Sequence, residues 1–248
     1  MISEKSGKEN TVNLFWTGGW DSTFRLMQII FEEKRKVQPY YIIDLSRSSW
    51  EIEIKTMNDI KSLLVSDYPK KSELMEPVMI FNKNDISIDE EVSEAWKSIR
   101  NKRHIGNQYI WLASFIKKTG IKNMEMSIVN SDDCESNSPS LIAYLQDERI
   151  TSAEKAIFKY FSLPVKNLTK SDMYEITKSR NWLEILKNTW FCHHPLPHPF
   201  KMGVPCGVCN PCRVAVEEGF GHKIPVLNRV AGKWVKAVWN SNLLKKLR

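Results

Sequence analysis

A glycine-containing hexad near the start of the chain has residue types that bind anions. Two glycines let the backbone approach a phosphate closely, and the flanking hydroxyl groups add hydrogen-bond donors. The acidic residue would repel a bare phosphate, but it suits Mg²⁺ beside a polyphosphate or an N-cap of the next helix. The hexad fits neither a GxxxxGKS/T loop nor a GxGxxG loop. It predicts a nucleotide-phosphate loop, with a plain glycine turn as the alternative, and consists of Thr17, Gly18, Gly19, Trp20, Asp21 and Ser22.

Four of the five cysteines lie close together, in two overlapping CxxC spacings preceded by one further cysteine. Such a set predicts a closed, tetrahedral, structural metal site, for which zinc is favoured. An iron–sulfur cluster also takes four cysteines, whereas a CxxC redox pair needs only two. One of the histidines between them could replace a cysteine as ligand, but we expect them to line the loop surface or the mouth of the neighbouring active site. Cys134 is interpreted as a small buried residue. The predicted ligands are Cys192, Cys206, Cys209 and Cys212, and the histidines are His193, His194 and His198.

Alternating strand and helix patterns surround the hexad. Period-two or short apolar runs predict strands at residues 11–16, 37–44, 77–81 and 124–129. Apolar residues three and four apart predict helices from residue 22 and at 51–65, 96–118, 141–145, 152–161 and 170–180. This alternation indicates a Rossmann-like, doubly wound parallel α/β fold with the hexad at the carboxyl ends of the strands. We predict an α/β domain at 11–165 and, at 166–248, a small helical, zinc-binding lobe with a basic tail.

The composition indicates a globular protein, since 42% of the residues are hydrophobic and 26% are charged. No window approaches the roughly 18 consecutive apolar residues of a membrane span. Residues 1–10 are polar and lack the apolar segment of a signal peptide. A soluble, cytoplasmic protein without membrane contact is therefore expected.

The formal net charge of +7 arises entirely after Glu218, where seven lysines and arginines occur without an acidic residue. Together with Trp234 and Trp239, these cations could bind nucleic acid. Alternatively, residues 224–239 form a hairpin that packs on the α/β body, or the tail contacts an acidic surface of a second copy in a homodimer. The charges are spread over 30 residues and are screened beyond about 8 Å at physiological salt. We therefore expect no tight nucleic-acid binding.

Both motifs resemble those of one family. The hexad resembles the SGGxDS motif of PP-loop ATP pyrophosphatases, with Thr17 in place of serine. The hexad and the cysteines together resemble the 7-cyano-7-deazaguanine synthases of the queuosine pathway. The resemblance runs from about residue 12 to 220, and the stretches that carry it downstream are 163–165, 168–170, 189–192, 206–213 and 219–220.

The resemblance implies that the hexad binds ATP with Mg²⁺ and that Asp21, Ser22 and Lys170 act in catalysis. A solvated lysine at a helix start is the alternative for Lys170. The implied reaction adenylates 7-carboxy-7-deazaguanine, displaces AMP with ammonia and dehydrates the amide to the nitrile in a second activation. Zinc would be structural. On the substrate side the resemblance implies Asp44, Asn107 and Asp132.

Two stretches depart from the family pattern. Residues 44–49 replace a GQRH-like segment, and residues 131–136 replace an SGYPDC-like loop. Both lie where a purine-like acceptor is expected, so other acceptors stay open. These are another carboxylate, a deazapurine-linked modification of a protein or nucleic acid, or transfer RNA. A non-catalytic nucleotide sensor with a zinc interaction module is the remaining class, although retention of both glycines, Asp21 and Ser22 argues against it.

Overall fold

The computed structural model describes residues 11–129, 141–146, 151 and 155–232. Five parallel strands form its main sheet: β1 (Thr11–Phe15), β2 (Lys36–Ile43), β3 (Met79–Asn82), β4 (Met124–Glu125) and β5 (Phe161–Ser162). Their order across the sheet is β3-β2-β1-β4-β5. From β1 the chain adds β2 and β3 on one side and then crosses to add β4 and β5 on the other side of β1. The order reverses between β1 and β4, where open α/β sheets bind their ligands.

Helices connect the strands. They are α1 (Trp20–Met27), α2 (Trp50–Asp67), α3 (Pro69–Ser72), α4 (Glu90–Lys102), α5 (Gln108–Thr119), α6 (Leu141–Gln146), α7 (Lys170–Ser179), α8 (Leu183–Leu186) and α9 (Asn210–Glu217). A π-helical turn, Gln28–Glu33, extends α1, and 3₁₀ turns occur at Lys83–Asp85, Phe158–Tyr160 and Phe220–Lys223.

Two hydrophobic cores lie on opposite faces of the sheet. Successive side chains of a strand point to opposite faces, so Leu14 packs in one core with α1 and α2, and Phe15 packs in the other with α4 and α5. Trp16, Phe24 and Ile60 are fully buried in the first core. The helices therefore cover both faces, and the predicted doubly wound parallel α/β fold is confirmed.

Several predicted elements differ in extent. The single helix predicted at 96–118 is two helices, because the chain is extended at Arg103 (φ −155°, ψ 163°) before α5 begins. The strand predicted at 124–129 has only two residues. The helix predicted at 152–161 is wrong at its described end, where Phe161 begins β5 and pairs with Met124. A buried aromatic run gives no periodicity that separates a strand from a helix.

The C-terminal lobe contains strands as well as helices. A short antiparallel pair, β6 (Leu196–His198) and β7 (Lys201–Val204), lies between the first and second cysteines of the predicted metal site. Residues 226–232 are helical, so the hairpin predicted at 224–239 is wrong in its described part. None of the helices in the described ranges is both long and apolar enough to cross a bilayer.

A buried ion pair fixes α1 against β4. The Arg25 guanidinium donates two hydrogen bonds to Glu125, at 2.7 and 3.0 Å, and also pairs with Glu33. Arg25 and Glu125 are 6% and 9% exposed. This pair of hydrogen bonds compensates both buried charges only while α1 keeps its position over β4. The helix that begins in the hexad is thereby anchored at the reversal point of the sheet.

We expect Glu125→Gln to lower the free energy of unfolding by about 3 kcal/mol, because the buried Arg25 guanidinium loses one of its two carboxylate partners and keeps only Glu33. Chemical denaturation measures this value. Asp59→Asn is the control, since it breaks the exposed Lys55–Asp59 pair and should change stability much less. Equal losses in the two variants would contradict the assigned role of the buried pair.

Candidate functional site

The hexad forms a sharp loop between β1 and α1. Gly18 has a left-handed backbone (φ +70°), and Gly19 is extended (φ −76°, ψ 164°) immediately before the helix. A Cβ on Gly18 would lie 3.0 Å from Thr56 Cγ2 and 3.3 Å from Met57 Cγ. The loop therefore needs glycine here for its conformation and for its close approach to α2.

The donors of the hexad are only weakly engaged. The Gly19 amide donates to Thr17 Oγ1 at 3.3 Å, and the Thr17 amide donates to Ser22 Oγ at 3.4 Å. Among the described residues no side chain caps α1, since its N-cap is Gly19 and Asp21 and Ser22 lie within the first turn. The N-cap alternative is therefore wrong. Uncapped amides at the start of a helix are a ready site for an anion.

Two carboxylates and one ammonium group meet beside this loop. Lys170 Nζ forms an ion pair with Asp21 Oδ1, and a capping box of Thr169 and Asp172 fixes the start of α7 that carries Lys170. Glu218 is the residue after α9, and burial raises its pKa. The charge of Lys170 lowers this pKa, whereas the charge of Asp21 raises it further. The net charge of this group is −1 when all three are ionised, which suits a divalent cation.

Glu218 was not among the residues predicted from the sequence. Its only signal there is its position, six residues after Cys212 and directly after the helix that carries this last cysteine. Lys170 is not the solvated lysine of the alternative interpretation, because it is partly buried and paired with Asp21.

A cavity of about 600 Å³ extends from the hexad across the carboxyl ends of the strands to the C-terminal lobe. This volume lies in the range of small-molecule sites, roughly 300–1,000 Å³. The wall is rich in aromatic rings and also has charged groups from three regions of the chain. Its aromatic residues include Tyr40, Trp50, Trp111, Trp190, Phe191 and Phe220, and its charged residues include Asp21, Asp44, Arg47, Lys170, Glu218 and Lys223.

The three predicted substrate residues differ in their position relative to the cavity. Asp44 follows β2 in the cavity wall and accepts hydrogen bonds from Lys83 (3.0 Å) and from the Ser46 hydroxyl (2.6 Å). Burial acts to raise the pKa of Asp44, but these bonds lower it overall. The ionised carboxylate also lies 3.8 Å from Arg47 Nε, so Asp44 orients cations at the cavity wall.

Asn107 is exposed, and it is the next residue, Gln108, that lines the cavity. Asp132 lies outside the described residues. His193 lies in the cavity wall, where burial and the charge of Arg47 lower its pKa to about 4. The imidazole is therefore neutral near pH 7.

The four clustered cysteines have the geometry of a metal centre. Their Sγ atoms all lie within 4.8 Å of one another, and the thiols are free. The Cys192–Cys209 and Cys206–Cys212 Sγ distances are 3.8 and 3.9 Å. A tetrahedron with metal–sulfur bonds of about 2.3 Å places its sulfurs roughly 3.8 Å apart. The cluster can therefore hold one tetrahedral ion, and the histidines between the cysteines are not part of it.

Backbone amides surround the sulfurs. Those of Cys206 and Cys209 donate to Cys192 Sγ and Cys206 Sγ at 3.3 Å each. Hydrogen bonds from the neighbouring thiols lower the pKa of Cys209. The same interaction with Cys209 raises the pKa of Cys192 to about 12, because a second thiolate would be repelled. A bound cation is required for all four sulfurs to be ionised together.

The C-terminal lobe, which carries the four clustered cysteines, contacts the hexad directly. The Trp190 amide donates to the Gly18 carbonyl at 3.1 Å, and the rings of Trp20 and Phe220 lie 4.6 Å apart. Within the lobe, a Cβ on Gly207 would overlap the carbonyl of Asn228, so the cysteine loop packs tightly on the helical residues 226–232. The cysteine cluster therefore determines where one wall of the cavity lies.

No protein-family model and no curated protein sequence matches the chain. Among solved structures it is similar to a 4-thiouridine synthetase in complex with RNA and bound ATP, at 12% identity and a TM-score of 0.39. This alignment covers 92% of the present chain and 54% of the synthetase, so the chain spans about half of that protein's length.

A second similar structure is U34-tRNA thiolase NcsA from Methanococcus maripaludis with its 4Fe-4S cluster, at 12% identity and a TM-score of 0.38. The alignment covers 93% of the present chain and 72% of the thiolase. Because both TM-scores are low, the strand order and the loop and cysteine geometry of the chain itself define its class. It is a doubly wound α/β protein with a glycine-containing loop at the start of α1 and a cluster of four cysteines.

Gly18→Ala should lower the free energy of unfolding by more than about 1 kcal/mol, because alanine is strained at positive φ and its methyl group would press on α2. Gly120→Ala is a matched control, since Gly120 has the same φ (+69°) but no atom within 4 Å of its added Cβ. Chemical denaturation should show the larger loss for Gly18→Ala. Identical losses would show that contact with α2 contributes nothing.

Cys192→Ser should lower the metal content from about one ion per chain to near zero, because a closed four-thiolate site loses one ligand. Elemental analysis of freshly purified protein measures it, with His194→Ala as the control that should retain the ion. Chelation should also destabilise the wild-type lobe. Retention of the ion by Cys192→Ser together with its loss from His194→Ala would make the histidine the ligand.

Proposed function

We propose that the protein is an ATP-dependent enzyme that adenylates a small planar carboxylate and joins it to ammonia. The preferred acceptor is 7-carboxy-7-deazaguanine, which would become 7-cyano-7-deazaguanine. One observation carries this proposal: the uncapped amides of the hexad open into a cavity of about 600 Å³ that has aromatic walls and both signs of charge.

The phosphates of ATP would bind the amides of Gly18 and Gly19 and the hydroxyl groups of Thr17 and Ser22. Asp21 and Glu218 would hold Mg²⁺, which neutralises part of the polyphosphate charge when bound. Magnesium would compete with Lys170 for Asp21, releasing the ammonium group toward a phosphate oxygen. Catalysis of this kind depends on positioning and charge neutralisation, with no need for a protein nucleophile.

The reaction would proceed through two activations. A carboxylate oxygen attacks the α-phosphorus, the bond to the bridging oxygen breaks, and pyrophosphate leaves with the electron pair. Ammonia then attacks the acyl carbon, AMP leaves, and loss of a proton gives the amide. In the second activation the amide oxygen attacks the α-phosphorus of another ATP, the bond to the bridging oxygen breaks, and a second pyrophosphate leaves with the electron pair. AMP departs with that oxygen, the nitrogen loses its two protons, and the nitrile results.

The part of the cavity beyond the hexad suits a planar acceptor. Trp50 and Trp111 offer faces for stacking, and Arg47, held by Asp44, offers a cation for a carboxylate. Ser127 Oγ also lines this part and is buried without a hydrogen-bond partner in the described part of the chain. An unpartnered buried hydroxyl in a cavity wall favours a polar ligand there.

We further propose that the ion of the four-cysteine centre is zinc. Four protein thiolates leave no open coordination position, so the ion would be structural. Its task would be to hold residues 189–192 and α9 against the α/β body. These segments and the residues that directly follow them, His193 and Glu218, line the cavity together with Trp190.

A transfer-RNA acceptor is the second candidate. The turn between β6 and β7 exposes Phe200 (90%), which lies between His198 and Lys201. An exposed ring next to a lysine is suited to stacking on a nucleobase. The cavity volume of about 600 Å³ favours the small acceptor, and the experiment below separates the two.

The test is to incubate the protein with ATP, Mg²⁺ and ammonium, with either 7-carboxy-7-deazaguanine or unmodified transfer RNA, and to measure AMP and products by mass spectrometry. We expect AMP and a nitrile product with the deazapurine. Asp21→Ala should lower AMP formation by about 10²–10³-fold, because a charge that organises the phosphates is lost. Asp67→Ala, an exposed residue at the end of α2, is the control.

AMP formation with transfer RNA alone would favour the second candidate. ATP binding without AMP in either mixture would favour a nucleotide sensor. Full activity of Asp21→Ala would contradict the proposed site.

A further inference from the structure

The 3₁₀ turn Phe220–Lys223 brings one lysine to the cavity from the C-terminal stretch. Lys223 Nζ donates to the Thr189 carbonyl at 2.7 Å and to Thr189 Oγ1 at 3.3 Å. The Thr189 hydroxyl itself donates to the Leu186 carbonyl, so it can accept this bond. An ammonium group has three N–H donors, and these two contacts leave one for a ligand in the cavity.

No carboxylate in the described ranges forms an ion pair with Lys223, which distinguishes it from Lys170. Lys223 Nζ lies 5.9 Å from the centroid of the Phe191 ring. Burial lowers the pKa of Lys223 to about 8, so the group is still mostly protonated near pH 7. A largely buried cation without a counterion is unfavourable until an anion binds next to it.

Both segments that hold Lys223 also contact the hexad. Thr189 precedes Trp190, whose amide donates to the Gly18 carbonyl at 3.1 Å. Phe220, at the other end of the 3₁₀ turn, packs on Trp20 with 4.6 Å between the rings. The indole nitrogen of Trp20 is buried without a hydrogen-bond partner among the described residues, and Trp20 lines the same cavity.

We infer that Lys223 forms an anion subsite beside the hexad that binds the pyrophosphate group of ATP and retains it as the leaving group. This inference rests on the proposed function for the identity of the ligand. The ammonium would donate to an oxygen of the β- or γ-phosphate as negative charge accumulates there on cleavage of the bond to the α-phosphorus. No proton is transferred, since Lys223 acts only as a charged donor.

The test is direct binding of inorganic pyrophosphate with Mg²⁺, measured by calorimetry. Lys223→Met keeps the length of the side chain and removes its charge, and it should weaken pyrophosphate binding about 10- to 100-fold, as expected for one charged hydrogen bond. Lys223→Arg should restore part of the affinity. Lys166→Met removes an exposed lysine outside the cavity and should leave binding unchanged.

Thermal unfolding checks the fold of each variant. Lys223→Met should be at least as stable as wild type without ligand, because a buried charge has been removed. Pyrophosphate should raise the melting temperature of the wild type more than that of this variant.

Equal pyrophosphate affinity in wild type and Lys223→Met, or no binding to the wild type at millimolar concentration, would overturn the inference. Either result leaves AMP formation from ATP as the separate test of the proposed function. Conversely, Lys223-dependent pyrophosphate binding without AMP formation from any acceptor would support the subsite and refute the proposed enzyme.

Discussion

One backbone hydrogen bond, from the Trp190 amide to the Gly18 carbonyl at 3.1 Å, joins the C-terminal lobe to the hexad. It uses a carbonyl that only a left-handed Gly18 turns toward the lobe. The chain on either side of Trp190 supplies Thr189, which holds Lys223, and Cys192, the first cysteine of the metal centre. The position of the lobe, and with it one wall of the cavity, therefore depends on the conformation of Gly18 together with the Trp20–Phe220 contact and the cysteine cluster.

The charged side chains around the cavity form two separate groups, because different elements carry them. Beside the start of α1, Asp21 and Glu218 face the single ammonium of Lys170. Across the end of β2, Asp44 binds two cationic side chains. This separation gives a cation-attracting region beside the loop and an anion-attracting region where an acceptor would lie. A polyphosphate, its metal ion and a carboxylate can thus be accommodated together without burying like charges in contact.

The four-cysteine centre acts on the cavity through α9. Its thiols cannot all ionise without a cation, and the helix that begins just after Cys209 ends at Glu218 in the cavity wall. Metal binding is thereby coupled to the position of a carboxylate beside the phosphate loop. A closed thiolate site is far from reactive itself, but its loss would remove Glu218, His193 and Lys223 from their places.

Features that depend only on neighbouring residues could be predicted from the sequence alone. The strand, the glycine turn and the start of α1 occupy adjacent residues, and the CxxC spacings place three cysteines within seven residues. β5 could not be predicted, because a strand of two residues has no periodicity and exists only through pairing with β4. Gln108 likewise has no signal, since the resemblance implies Asn107 one residue before it. Glu218 is marked only by its position after the cysteines, and Lys223 is one of seven tail cations, whose place in the cavity wall the sequence does not show. Only the tertiary structure brings together residues as distant as Asp21 and Lys170, because packing of whole helices on the sheet, and not local chain stiffness, sets those distances.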